Sequence, residues 1–243
     1  TGRDWDTGRD GDTVRHLLGI DIIGPNHVRL WLVVLSEAKQ CSSSNFIPPE
    51  SHPMKSHARV VVIGGGVLGC SIAYHLTKAG CDDVLLLERA ELTSGSTWHA
   101  AANIHAMHGN ASLARLQDYT IKIYDRLEEE TGQSVGLHRC GGLYLATSEE
   151  RFDELKIQRG RARYLGQEFE IIGPDEIAKL NPLVNMERVI GGMWGASDGH
   201  VDPSGVTQAF AKGARMGGAV IERECPVTGL VQRADGGWDI TTP

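Results

Sequence analysis

Four consecutive apolar residues, Val60, Val61, Val62 and Ile63, run directly into Gly64-Gly65-Gly66-Val67-Leu68-Gly69, and no other feature constrains the chain as tightly. A short apolar run of this kind predicts a strand buried on both faces. The G-x-G-x-x-G spacing behind it permits a tight turn at Gly64, a close approach of backbone to a phosphate at Gly66, and close packing of helix on strand at Gly69. Leu68, Ile72 and Leu76 then fall on one helical stripe that ends at Gly80, and Val84, Leu85, Leu86 and Leu87 form a second apolar run. Residues 58–90 are thus predicted to make a complete βαβ unit, the opening of a Rossmann-like α/β fold. Glu88 stands 19 residues beyond Gly69, where a carboxylate accepts hydrogen bonds from a ribose and repels a 2′-phosphate. The ligand that fits is FAD or NAD, its pyrophosphate at the positive end of the helix.

Outside this unit the 243 residues divide unevenly. Residues 1–53 repeat Thr-Gly-Arg-Asp at 1–4 and 7–10, carry a Ser42-Ser43-Ser44 run and are broken by Pro48, Pro49 and Pro53; they are expected to be a poorly structured extension or a gene-model artefact, with Met54 as the natural start. Residues 54–243 are expected to form part of one larger α/β domain. Leu113, Leu116, Thr120, Ile123 and Leu127 mark a helix stopping near Gly132, and Thr147 with Glu150 can cap another before Phe152, Leu155 and Ala162. Asp202-Pro203 opens a helix that reaches Gly217-Gly218, a strand follows at 219–221, and Asp235-Gly236-Gly237 turns a β-hairpin. The expected architecture is a mixed sheet with helices and a terminal hairpin, truncated at its carboxyl end because Thr241-Thr242-Pro243 follows a strand barely begun.

A net charge of −7 leaves no broad basic footprint for nucleic acid, and the apolar run at 30–35 is too short to span a bilayer. Five cysteines without a C-x-x-C pair argue against a disulfide framework and a cysteine zinc site, and point to a reducing compartment. The cytoplasm is the default. The mitochondrial matrix is the alternative, although Asp4, Asp6, Asp10, Asp12 and Asp21 are unlike a presequence.

Which dinucleotide binds is decided by Leu92-Thr93-Ser94-Gly95-Ser96-Thr97-Trp98-His99-Ala100-Ala101. Small hydroxyl residues around a glycine offer donors to a pyrophosphate or a flavin edge, and serve equally well as a helix cap and loop. Together with Leu85-Leu86-Leu87-Glu88-Arg89, Asp198-Gly199-His200-Val201-Asp202-Pro203 and Pro226-Val227-Thr228-Gly229-Leu230, this stretch resembles the dimethylglycine and sarcosine dehydrogenase family of FAD-dependent amine oxidoreductases. The resemblance covers residues 58–243. It implies a Rossmann-like FAD-binding fold and oxidative demethylation of a small N-methyl amino acid, with hydride passing from the N-methyl carbon to the flavin. It also implies that Gly64, Gly66, Val67, Leu68 and Gly69 meet the pyrophosphate and that Glu88 and Arg89 flank the adenosine. Ser94, Gly95, Ser96, Thr97, Trp98, His99, Ala100 and Ala101 then line the flavin, and Val227, read as a strand residue, offers backbone to the adenine. His99 matches the histidine bonded covalently to the flavin. The family continues with glycine where this chain has Ala102, which is unfavourable if that backbone needs a positive φ. The implied electron acceptor is an electron-transfer flavoprotein or oxygen, and the catalytic residues lie beyond position 243.

Other groupings carry less. His105 and His108, with His99 or His138, lack a convincing third ligand, so no metal is expected. Asp198 and Asp202 flank His200 like an acid/base cluster, yet Asp202 is better explained as a cap. Trp98, Trp194 and Trp238 are scattered rather than stacked as a base-binding platform. Two alternatives stay open: a non-catalytic fragment retaining an adenosine half-site, and a nicotinamide dehydrogenase, which has no use for the Ser-Thr-Trp-His stretch.

Overall fold

The computed structural model describes residues 55–243 and, upstream, the backbone of two strands. The chain forms two units: residues 1–99 with 214–243, and residues 100–213. In the leading segment, where no element was expected, strands β1 (Leu17–Ile23) and β2 (His27–Val33) pair antiparallel. The rest of residues 1–54, and with it the expected start at Met54, lies outside the described residues.

The βαβ unit forms as expected, with β3 (Val60–Ile63), α1 (Val67–Lys78) and β4 (Val84–Leu87), the strands pairing in parallel from Val60 opposite Val84 to Ile63 opposite Leu87. All four residues of β4 are buried, which is what a parallel strand covered on both faces requires. The buried face of α1 is not the Leu68, Ile72, Leu76 stripe. It consists of Gly69, Cys70, Ala73 and Tyr74, while Leu68 is 61% exposed. Small residues predominate there because the helix approaches the sheet so closely at Gly69, while Ile72 and Leu76 are half-buried. A 3₁₀ turn, Ser96–His99, ends this part of the chain.

The second unit begins with β5 (Asn103–Ile104) and α2 (Ala111–Thr131). Asn110 caps α2, its side-chain oxygen accepting from the N–H groups of Ser112 at 2.9 Å and Leu113 at 3.2 Å. The helix stops at Gly132, whose φ of +63° closes it in the left-handed conformation. Its buried residues include Ala114, Ile121, Ile123 and Leu127, whereas Leu113 and Leu116 of the expected stripe are exposed. Next come β6 (Gly142–Ala146), α3 (Glu149–Tyr164), β7 (Glu170–Ile172), α4 (Pro174–Leu180), β8 (Gly191–Gly195) and β9 (Gly199–His200). Strands β6, β8 and β7 make an antiparallel sheet in that order, and β5 pairs with β9. The cap of α3 is Ser148, bonded to the Arg151 N–H at 3.3 Å, one residue beyond the expected Thr147 and Glu150 pair. Thr147 and Ser148 are comparable caps by type, and the choice falls to where β6 ends. Leu155 and Ala162 of α3 pack with Ala146, Phe169 and Met193 as the core of this unit.

Helix α5 (Pro203–Met216) carries the chain back to the first unit. There β10 (Val220–Glu222) pairs in parallel with β4, completing a five-stranded mixed sheet ordered β1-β2-β3-β4-β10. The expected hairpin follows as β11 (Gly229–Gln232) and β12 (Trp238–Thr241), turned by Gly236 at φ +80° and closed by the Arg233 N–H donating to the Gly237 carbonyl at 2.9 Å.

Candidate functional site

The carboxyl ends of β3 and β4 and the amino end of α1 converge within the first unit. Gly64 leaves β3 at φ +108°, and its N–H donates to the Leu87 carbonyl at 2.8 Å, so the turn starts in register with the neighbouring strand. A Cβ on Gly69 would stand 1.9 Å from the Gly64 carbonyl oxygen, a distance only glycine avoids. Gly66 caps α1 without a side chain, and the first intrahelical bond runs from the Cys70 N–H to the Gly66 carbonyl at 3.0 Å. The N–H groups of Val67, Leu68 and Gly69 precede that bond and face out of the helix end.

Glu88 terminates β4 and is 8% exposed. One carboxylate oxygen accepts from the Gly65 N–H at 2.5 Å and the other from the Ala90 N–H at 2.9 Å. Gly65 is a site residue that the motif alone does not single out, because it occupies a variable position. A Cβ there would meet Leu92 at 2.5 Å and the Glu88 Cβ at 2.9 Å, so the carboxylate can reach the loop only past a glycine. Three consecutive glycines, one more than the pattern demands here, were the available signal.

The 91–99 loop is pinned to this turn at two points. The Thr93 N–H donates to the Gly65 carbonyl at 3.1 Å, and the Thr97 hydroxyl accepts from the Val67 N–H at 3.0 Å. Thr97 thereby supplies, from thirty residues away, the cap that Gly66 cannot. Behind it Trp98 is 63% exposed, its ring edge-on to His99 at 5.2 Å, and the exposed His99 donates from Nδ1 to the Gly95 carbonyl at 3.0 Å. Ser94, Ser96 and Arg89 are exposed and Gly95 is half-buried. Val227 lies in the half-buried segment between β10 and β11, not in a strand. That segment is tied to the end of β4 by the Cys225 N–H, which donates to the Glu88 carbonyl at 2.8 Å. Cys70 sits under the glycine turn, its thiol donating to the Gly65 carbonyl at 3.6 Å and pushed up to about 12 by burial, partly countered by Arg215, and is no nucleophile at neutral pH.

Ala100 and Ala101 belong to the second unit, where both are exposed. Ala102 has φ +58°, so the position does require the conformation that glycine adopts more readily. Asp202 is a helix cap, its two oxygens each 3.0 Å from the N–H groups of Ser204 and Gly205. His200 does not meet Asp198: its exposed ring stacks at 4.9 Å against His138, with which it exchanges backbone hydrogen bonds of 2.9 and 3.0 Å. Asp198 is buried, and burial raises its carboxyl above the ordinary aspartate range. His108 accepts at Nδ1 from the Asn110 N–H at 3.0 Å. Among the described residues no three His, Cys, Asp or Glu side chains converge as a metal site, and no helix is long and apolar enough to cross a membrane.

A glycine-lined helix end between parallel strands, faced by a carboxylate at the end of the second strand, defines a dinucleotide-binding α/β unit. The profile of the FAD dependent oxidoreductase family matches residues 59–243, and the chain belongs to that family. It is 48% identical over 196 residues to mitochondrial dimethylglycine dehydrogenase of Rattus norvegicus, and covers 23% of that protein against 81% of this chain. With mitochondrial sarcosine dehydrogenase of Homo sapiens it shares 40% over 181 residues, 74% of this chain and 20% of that one. The chain thus spans about a quarter or less of the length of these relatives. Among solved structures, L-proline dehydrogenase from P. horikoshii superposes with a TM-score of 0.68 at 29% identity, over 72% of this chain and 46% of that one.

Proposed function

We propose that this chain supplies the FAD-binding part of an enzyme that oxidises the N-methyl carbon of a small N-methyl amino acid such as dimethylglycine or sarcosine. The observation that carries the reading is the joining of the Ser-Thr-Trp-His loop to the amino end of α1 through Thr97 and Val67. A nicotinamide enzyme has no use for that loop. The turn fits the cofactor: Gly65 and Gly69 let Glu88 and α1 close in on it, and the N–H groups of Leu68 and Gly69, the two not taken by Thr97, are placed for a pyrophosphate. In this reading Gly64 and Gly66 shape the approach, and Glu88 accepts from the adenosine ribose beside Arg89. Val227 offers backbone to the adenine, and Ser94, Gly95, Ser96, Thr97, Trp98, Ala100 and Ala101 surround the flavin.

FAD when bound accepts the hydride that leaves the N-methyl carbon; water then converts the iminium to formaldehyde and the demethylated amine. His99 is the residue of covalent attachment. Its Nδ1 proton is committed to the Gly95 carbonyl, so the lone pair resides on Nε2, the nitrogen free to bond carbon. The names of both dehydrogenase relatives place those proteins in mitochondria, which favours the mitochondrial over the cytoplasmic location for this chain. The electron acceptor is an electron-transfer flavoprotein or oxygen.

The test is to incubate the purified chain with FAD, precipitate it in acid and read flavin fluorescence in the washed pellet. Fluorescence in the wild type and its loss in His99→Ala, with dissociable FAD retained, is the expected result. A wild-type pellet free of flavin refutes the attachment. A melting temperature unmoved by FAD refutes the cofactor site itself.

A further inference from the structure

Asp198 is 1% exposed, and the fold has made room for it. Gly142 of β6 and Gly195 of β8 stand opposite one another in register, and a Cβ on either would approach an Asp198 carboxylate oxygen to 2.4 and 2.9 Å. Paired glycines within a sheet weaken it and mark a close approach; here the object approaching is a carboxylate. The Tyr144 hydroxyl donates to its Oδ2 at 2.9 Å, and the Ala106 N–H donates to its Oδ1 at 3.2 Å. On the other side of the same residue, the Ala106 carbonyl accepts from Nε2 of Gln167 at 3.0 Å, and Gln167 is itself 9% exposed. Both backbone polar groups of the buried Ala106 are therefore held by buried side chains. At the other end of the segment the Val201 N–H donates to the Ala102 carbonyl at 3.1 Å, and between them β5 pairs with β9.

We propose that Asp198 and Gln167 are positioning residues that clamp Ala106 from both sides and so anchor segment 102–106, which the chain enters three residues after His99. The Asp-Gly-His-Val run is then an anchor strand, with Asp198 as its side-chain hook and Val201 as its backbone hook, rather than an acid/base cluster. The anchor holds Ala102 in its left-handed conformation against the preference of a Cβ. Its relation to the flavin rests on the cofactor reading above, in which Ala100 and Ala101, the residues directly before the anchored segment, line the flavin.

The decisive measurement is amide hydrogen exchange in the full chain without FAD, comparing wild type, Asp198→Ala and Asp198→Asn. Asparagine keeps an oxygen for the Ala106 N–H and an amide that the Tyr144 oxygen can accept, so it restores the hook without its charge. Asp198→Ala is expected to speed exchange at Asn103, Ile104 and Ala106 at least tenfold while Leu86 in β4 is unchanged, and Asp198→Asn to remain within threefold of wild type. Unchanged exchange in Asp198→Ala, or an equal loss in both variants, overturns the clamp. Should Asp198→Ala fail to fold, Gln167→Met removes the second hook at nearly constant volume, and unaltered exchange at 103–106 in that variant overturns it equally. With FAD present, the rate of acid-stable flavin uptake is expected to fall at least fivefold in Asp198→Ala and to recover in Asp198→Asn; an unchanged rate overturns the link to the flavin. A wild type that takes up no FAD defeats the cofactor reading, and the exchange data still decide the clamp.

Discussion

Replacing Gly69 with alanine tests the packing logic of the dinucleotide unit most directly. The added Cβ would lie 1.9 Å from the Gly64 carbonyl oxygen and 3.1 Å from its carbon, with Val62 at 3.5 Å. The first two neighbours are backbone, so no rotamer change relieves the contact; β3 and α1 must separate by more than an ångström. That separation also loosens Cys70 and Ala73, which are fully buried beneath the helix. Overpacking a tight interface costs about 1–3 kcal/mol, and the lack of any flexible neighbour puts this case near about 3 kcal/mol. For a chain of this size each kcal/mol shifts the midpoint by about 2–4 °C, so Gly69→Ala is expected to melt about 6–12 °C below wild type. Two other glycines calibrate the figure. Gly80 has open space around it but φ +80°, and its alanine variant should lose about 1 kcal/mol to the left-handed conformation alone. Gly160 lies inside α3 with open space and no positive φ, so Gly160→Ala should gain about 0.5–1 kcal/mol from helix propensity. Equilibrium urea unfolding ranks the three. A Gly69→Ala stability within about 0.5 kcal/mol of wild type, by the same order of error as such curves carry, refutes the close approach.

Three further outcomes follow from individual geometries. Ala102→Gly removes a left-handed penalty of about 1–2 kcal/mol and adds about 0.4–1 kcal/mol of unfolded-chain entropy, so urea unfolding should show a net stabilisation of about 0.5 kcal/mol; a clear loss counts against the φ of +58°. Burial raises the Asp198 carboxyl above its unfolded value, with Tyr144 on β6, the Ala106 N–H and the charge of His105 pulling it back. The protonated form is therefore the one folding favours: its contribution is complete below the unfolded value and is lost as pH rises through the folded one. Asp198→Asn should gain on wild type with rising pH across that window, and melting profiles of the two that stay parallel sink the argument. Thr97→Val strips the cap from the Val67 N–H and should cost about 1 kcal/mol without FAD, while Thr97→Ser keeps the bond. Identical melting of all three proteins denies the hydroxyl that role.

What local pattern could convey was conveyed well in the βαβ unit and poorly wherever a partner came from far along the chain. Val84–Leu87 was legible because a parallel strand buried on both faces has no alternation to misread, and Val60–Ile63 because its apolar run persists although only Val60 and Val62 are buried. The face of α1 was misread for a physical reason: periodicity finds the larger aliphatics, Leu68, Ile72 and Leu76, but a helix pressed against a sheet at Gly69 buries Gly69, Cys70 and Ala73, with Tyr74 a turn further on. Gly65 was hidden by a motif that leaves its position open, although the contact of its N–H with Glu88 is the one that aims the carboxylate. The Thr97 hydroxyl was foreseen as a donor group near the cofactor but not as the cap of a helix begun thirty residues earlier, since capping rules look only to the adjacent residue.

Asp198 shows the same limit in its sharpest form. In linear order it sits two residues from His200 and invites a catalytic reading; in three dimensions it turns instead toward β6 and β8, whose glycines leave a slot of its size. The trace of that slot was present in the chain as Gly142 and Gly195, glycines inside strands that would be more stable without them. A glycine that weakens a strand is informative because something else must make use of the space. Here the space admits a carboxylate that holds Ala106, and the segment it anchors begins where the His99 loop ends. The residues that shape this site are thus read less from the groups that carry chemistry than from the positions at which the chain has given up a side chain to let them in.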